Sequence, residues 1–200
     1  MELVGLTKSL GGKNVLESVD HIFPEGKVSI LSGANGAGKT TLLRIATGVL
    51  RSDHGKILWR GKESRFSLHE IGVCPADDGG FYPALTVRRN LEYFGCLHGI
   101  AAGEIETRLR KNSPLPIDYL DLPIERCSLG MRQKIKIARA LMHEPNLLLL
   151  DEPLNGLDAE SREKFVRWLE RGQRTVILVQ HGFTEFFPRF ELKQGRIHSC

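Results

Sequence analysis

Val28-Ser29-Ile30-Leu31, then Ser32, then Gly33-Ala34-Asn35-Gly36-Ala37-Gly38-Lys39-Thr40: this stretch decides the fold. The first four residues read as a short buried strand, and the last eight match the pattern GxxxxGK[ST]. From Thr40 to Leu50, apolar residues at Leu42, Leu43, Ile45, Ala46, Val49 and Leu50 follow a helical spacing. A strand that runs into a glycine loop and then a helix is the setting in which this pattern wraps phosphate. The glycines let backbone N–H groups approach where a Cβ would clash, and the helix N-terminus adds a positive dipole end. Lys39 is therefore expected to reach the β- and γ-phosphates of a nucleotide. Thr40 is expected to place its hydroxyl on Mg²⁺, with Gly33, Ala34, Asn35, Gly36, Ala37, Gly38 and Thr41 completing the phosphate-binding set.

Upstream, Val4 to Leu6 and Val15 to Phe23 read as strands, separated by the turn signal Gly11-Gly12-Lys13-Asn14. Downstream, Lys56 to Trp59 and Ile71 to Cys74 read as further strands, before Pro75 and Asp77-Asp78-Gly79-Gly80 interrupt regular structure. From Thr86, a plausible N-cap, to about Asn112 the apolar positions fit two amphipathic helices. Leu129 to Met142 is a third helix, with Ile135, Ile137, Ala138, Leu141 and Met142 toward one side. Arg132, Lys134, Lys136 and Arg139 fall largely on the other. Leu147 to Leu150 and Thr175 to Val179 are continuous apolar runs of the kind buried on both faces of a parallel sheet, and Ala159 to Arg171 is an amphipathic helix between them. The β-α-β order predicts an α/β core.

With 200 residues, 41% of them hydrophobic, the chain can bury one sizeable core, so a single domain is expected. Its longest apolar runs, such as Leu147 to Leu150, fall far short of the roughly 20 residues of a membrane-spanning helix. The first residues lack the pattern of a secretory signal, so the chain is expected to stay where it is made. Cys74, Cys96, Cys127 and Cys200 form no CxxC pair and read as reduced thiols of a cytosolic protein rather than zinc ligands. The formal charge of +4 suits anionic partners, but no block of like charge points to nucleic acid, and none is expected.

A second set of residues carries chemistry. Leu147-Leu148-Leu149-Leu150-Asp151-Glu152 delivers two acids at the C-terminal end of a strand, where ligands of open α/β sheets gather. Asp151 is expected to hold magnesium through a water, and Glu152 to orient or deprotonate the attacking water.

Together with Cys127-Ser128-Leu129-Gly130-Met131-Arg132-Gln133, Asn155-Gly156-Leu157-Asp158 and His181, these motifs resemble the ATP-binding cassette (ABC) family over nearly the whole chain. The first stretch is similar to the family signature usually written LSGGQ, the second to its D-loop, and His181 to its switch histidine. The resemblance implies a P-loop NTPase core with a mostly parallel sheet, an N-terminal antiparallel β subdomain and a small inserted helical lobe. Residues 1–75 and 143–200 would form the nucleotide-binding core, and 76–142 the Q-loop region, lobe and signature helix. It also implies ATP and Mg²⁺ as ligands, and two subunits, identical or not, that sandwich two ATP molecules. Lys39, Glu152 and His181 would then be catalytic, while Ser128, Gly130, Met131 and Asp158 serve the nucleotide of the partner subunit. The subunit would lie in the cytoplasm, peripheral on the inner face of the membrane, driving separate transmembrane permease subunits. Read alone, Ser128 is equally a helix N-cap, Asp158 a cap of the helix from Ala159, and His181 an ordinary polar residue.

Three departures from the family pattern stand out. Leu10 replaces the aromatic ring that stacks on adenine, Ala76 replaces the Q-loop glutamine, and Leu129 replaces the first glycine of the signature pair. Asp77, next to Ala76, is an additional metal candidate through a water. Tyr82 to Val87 and the signature stretch resemble exporters, and Arg44 with Gly55 to Gly61 resembles the short haem-exporter cassettes. The competing readings are a DNA- or ribosome-acting cassette, which would usually carry two cassettes or a long insertion, and a degenerate cassette that binds ATP but barely hydrolyses it, which Ala76 favours and Lys39, Glu152 and His181 oppose. A P-loop kinase would need neither signature nor D-loop.

Overall fold

The computed structural model describes residues 1–63, 69–77, 80–182 and 187–199; Asp78, Gly79 and Cys200, named above, lie outside them. By its internal contacts the chain divides into two compact units, Met1–Ser67 with Gln173–Cys200, and Leu68–Gly172.

In the first unit, β1 (Glu2–Leu10) and β2 (Lys13–Ile22) pair antiparallel across the Gly11-Gly12 turn. Both glycines have positive φ (56° and 77°), the requirement of a two-residue hairpin turn that matches strand twist. The far edge of β1 pairs antiparallel with β4 (His54–Trp59), which in turn carries the short β5 (Lys62–Glu63). This is the antiparallel β part expected at the N-terminus. β3 (Val28–Ser32) runs parallel to both β8 (Thr175–Val179) and β9 (Arg189–Lys193). All of β8 is buried, as is β3 except Ser32, which explains why their sequences do not alternate. α1 (Lys39–Ala46) packs Leu42, Leu43, Ile45 and Ala46 inward. It stops short of Leu50 because Gly48, at φ 75°, turns the chain left-handed and its N–H bonds back to the Ile45 carbonyl at 3.0 Å.

β9 continues into β10 (Arg196–Ser199) as an antiparallel hairpin that the apolar pattern does not announce. Its two-residue turn is Gln194-Gly195, with φ 49° and 72°.

In the second unit, β6 (Ile71–Cys74) and β7 (Leu147–Asp151) pair parallel, Ile71 opposite Leu147 through Cys74 opposite Leu150. The helices are α2 (Val87–Leu97), α3 (Ile105–Asn112), α4 (Leu129–Leu141) and α5 (Ala159–Arg171). Thr86 caps α2, its hydroxyl accepting from Arg89 N–H at 3.2 Å. Val87, Leu91, Ile105, Leu109, Ile135 and Ala138 meet in a core that joins α2, α3 and α4. α4 lies hard against β6: a Cβ on Gly72 would stand 2.1 Å from the Ala140 carbonyl oxygen. Among the described residues, no helix is long and apolar enough to cross a membrane.

Candidate nucleotide-binding and hydrolysis site

The loop from Gly33 to Gly38 leaves β3 and enters α1 under three separate constraints. Gly33 has φ 144°, and a Cβ there would sit 2.4 Å from the Leu192 carbonyl oxygen of β9. A Cβ on Gly38 (φ 107°) would meet Val15 Cγ1 at 2.6 Å. Gly36 faces open space, so its φ of 77° alone demands glycine. The loop closes on itself through Ala37 N–H to the Ala34 carbonyl, 3.1 Å. Lys39, only 7% exposed, arches over it and donates to the carbonyls of Gly33 (2.8 Å) and Ala34 (2.9 Å). Thr40 beside it is exposed, and Thr41 is half-buried. A cavity of about 400 Å³, lined by Lys13, Asn14, Val15 and Ala34 to Ala37 on one side and by Leu192 and Lys193 on the other, adjoins the loop. Leu10 stands 44% exposed at the end of β1.

In the second unit, all five residues of β7 are buried, and Asp151 at its end is 5% exposed. Glu152 follows in the left-handed region, φ 52°, a conformation that costs a non-glycine residue about 1–3 kcal/mol and persists only where surroundings hold it. Here the holding group is Asn155. Its side-chain amide donates to the Glu152 carboxylate, and its N–H donates to the Glu152 carbonyl at 3.2 Å. The next carbonyl, that of Pro153, accepts from the buried Gln133 amide at 2.9 Å. The turn that carries Glu152 is thus pinned by α4.

The start of α4 and the turn after β7 also pack backbone to backbone. Ser128 is the N-cap, its hydroxyl accepting from Met131 N–H at 3.2 Å. A Cβ on Gly130 would stand 2.7 Å from the Gly156 carbonyl oxygen, and one on Gly156 would stand 2.9 Å from Leu129 Cγ. Glycine is therefore required at position 130. Position 129 is different, since Leu129 is 60% exposed and its side chain has room. Asp158 caps α5, its carboxylate accepting from Ser161 N–H (2.8 Å) and Ser161 hydroxyl (3.0 Å) while pairing with Lys134 at 3.2 Å. The Ser161 donors, with Lys134, pull its pKa down to about 2. The cap readings of Ser128 and Asp158 thus hold within this chain.

Residues 16–155 match the family described as ABC transporter. The chain belongs to the ABC transporter family. As a member it is an ATP-binding subunit of a transporter and an ATPase. Over 181 residues it is 36% identical to the ABC transporter ATP-binding protein NatA of Bacillus subtilis, covering 84% of this chain and 74% of that one. Over 190 residues it is 35% identical to the lantibiotic transport ATP-binding protein SrtF of Streptococcus pyogenes, covering 92% and 81%. Its fold matches the dimeric structure of MJ0796, a bacterial ABC transporter cassette, with a TM-score of 0.83 over 98% of this chain and 96% of that one at 23% identity.

Within this cassette, Ala76 lies just beyond β6, and no side-chain oxygen stands at that position. What the sequence misses is the residue beneath it. The helical period places Lys136 with Arg132, Lys134 and Arg139 on the polar side of α4, yet Lys136 and Gln133 are each 3% exposed. The Lys136 ammonium donates to the carbonyls of Pro75 (3.3 Å), Ala76 (3.3 Å) and Asp77 (3.1 Å). The only local signal is the shared side of the helix, since 133, 136 and 140 are spaced by three and four. Arg139, a turn further, lies over the rings of Phe81 (4.8 Å) and Phe94 (4.6 Å). Burial pushes the Cys74 thiol up to about 11, so it is an inert core residue. His181 is exposed two residues past β8, after the buried Gln180.

Proposed function

We propose that two copies of this cassette, identical or paired with a related chain, close head to tail around two ATP molecules and drive a transmembrane permease. The observation that carries the reading is the start of α4. Ser128 and Leu129 are exposed there, and the helix N-terminus is held rigidly against Gly156. Such an end offers N–H donors and a positive dipole to an anion brought by another subunit. Asp158, already oriented as a cap, would lie at the same interface, with Met131 behind it.

On the nucleotide's own subunit, the N–H groups of residues 33–41 cradle the phosphates and Lys39 neutralises them. A hydroxyl at Thr40 and one carboxylate at Asp151 suit Mg²⁺, which takes few protein oxygens and keeps waters; Asp77 would anchor one such water. Bound there, the ion would draw charge off the β- and γ-phosphates. Glu152 would hold the attacking water in line and accept its proton, and His181 would contact the γ-phosphate. Segment 76–142 would carry the motion to the permease, placing the subunit on the inner face of the membrane. The relatives named above are likewise transport ATP-binding proteins.

Mixing two inactive variants tests the head-to-tail arrangement. Lys39→Ala loses its own phosphate site, and Ser128→Arg spoils the site it offers a partner. If each site is built from two chains, the mixture regains one intact site and a measurable part of wild-type ATPase. Sites complete within one chain would leave the mixture as inactive as either variant alone.

A further inference from the structure

Carbonyls along an extended strand point alternately to opposite sides, so three successive carbonyls rarely face one point. Those of Pro75, Ala76 and Asp77 do, and the point is the Lys136 ammonium. The chain bends at Ala76 and Asp77 to achieve this. An ammonium is suited to such a cup, because its donors fan out from one small head, whereas a guanidinium presents its donors in a plane. Burying a cation is costly unless its donors are satisfied, and here all three end on backbone oxygens. A loop shaped around a buried cation keeps its shape only while the cation is there.

The same helix grips the neighbouring strand exit. Gln133, one turn earlier on α4, holds the Pro153 carbonyl immediately after Glu152. Two side chains three residues apart on one rigid helix therefore fix the exits of β6 and β7, which are parallel neighbours. Arg139 adds a third hold on the segment at Phe81. α4 thereby sets the distance between the loop that contains Ala76 and the turn that contains Glu152.

We propose that Lys136 is a positioning residue for ATP hydrolysis: through the backbone of Pro75 to Asp77 it supplies the fixed placement that a glutamine side chain at position 76 would otherwise provide. The inference rests on the proposed function, in which segment 76–142 responds to the bound nucleotide. It assigns Lys136 no contact with substrate. Its effect falls on turnover rather than on ATP affinity, since the phosphates are held elsewhere, by the Gly33–Gly38 loop and Lys39.

The test is steady-state ATPase of the full chain, with ATP affinity and thermal stability measured in parallel. Lys136→Met, which keeps the length of the side chain and removes its donors, is expected to lower kcat about tenfold with ATP affinity within about twofold. Adding Ala76→Gln to that variant is expected to restore several-fold of the loss, because the side-chain amide replaces the lost hold. A residue that mattered only for folding would lower the melting temperature and leave kcat per folded molecule unchanged, with no dependence on position 76. Turnover within about twofold of the unsubstituted chain, or an equal loss with and without Ala76→Gln, overturns the proposal. Should Lys136→Met fail to fold, Lys136→Arg keeps the buried charge but cannot serve three consecutive carbonyls, and decides alone: about a three- to tenfold fall in kcat supports the proposal and unchanged turnover overturns it. A complete lack of ATP turnover in the unsubstituted chain would overturn the ATPase reading beneath it, an outcome distinct from any of these.

Discussion

The turn from Ser32 to Lys39 and the turn from Asp151 to Asp158 both leave buried parallel strands and both end in a helix, yet they are held in different ways. The first is shaped largely by its own sequence. Glycines at 33, 36 and 38 take positive φ, and Lys39 bonds back to the carbonyls of Gly33 and Ala34. The second is shaped from outside, by α4. Gln133 holds Pro153, Gly130 lies against Gly156 and Lys134 pairs with Asp158. A self-contained turn can be recognised from a short pattern, whereas a braced turn depends on residues some twenty positions away.

Breaking the first turn should cost most. Under the proposed function Lys39→Ala removes the cation that would face the phosphates, in a Gly33–Thr40 stretch with no second cation, and turnover should fall by about 10²–10³ or more. Near-normal ATPase in that variant would mean that the loop does not carry the phosphates.

The brace of the second turn should be the next most sensitive feature. Gly130→Ala drives a methyl to 2.7 Å from the Gly156 carbonyl, and the resulting shift should cost about 1–3 kcal/mol of stability and displace the Glu152 turn. Leu129→Gly, at an exposed position, should change stability by less than about 1 kcal/mol. Thermal denaturation of the pair checks both, and equal effects would show that the close approach does not matter.

A smaller effect is a response to pH within the second of the two units. In the second, His98 and His143 stack at 3.8 Å with both Nδ1 atoms buried and unpartnered. Burial, with the neighbouring His143 and His69, holds the His98 pKa at about 4, below the ordinary 6.5. Burial also lowers that of His143. The folded chain thus binds these protons less readily than the unfolded chain. The stabilisation is complete above pH 6.5 and is lost as pH falls toward 4. His98→Phe, which keeps a stacked ring and removes the titration, should show a flatter fall of melting temperature over that window. An unchanged slope would place the acid sensitivity elsewhere.

What the sequence makes legible follows the same division. The phosphate loop, the strands 71–74 and 175–179 and the helix 159–171 can be read from local pattern alone, and the structure has them at those bounds. The hairpin of β9 and β10 is hidden because Arg189, Glu191, Lys193 and Arg196 interleave with Phe190, Leu192 and Ile197, so only the Gln194-Gly195 turn signals it. Lys136 is hidden for a deeper reason. Helical periodicity reads a lysine as a solvent-facing residue, but its partners are carbonyls some sixty positions earlier, and no local pattern encodes them.

Under the proposed function both turns serve one reaction at Glu152, so that residue is the place to test the account as a whole. In Glu152→Gln the phosphate loop and the start of α4 are untouched, while the carboxylate that would take a proton from water is gone. With ATP and Mg²⁺ this variant should run as a dimer on gel filtration and retain uncleaved ATP. The unsubstituted chain should hydrolyse its nucleotide and return to monomer. A Glu152→Gln chain that stays monomeric with ATP, or that releases phosphate as fast as the unsubstituted protein, would contradict the account.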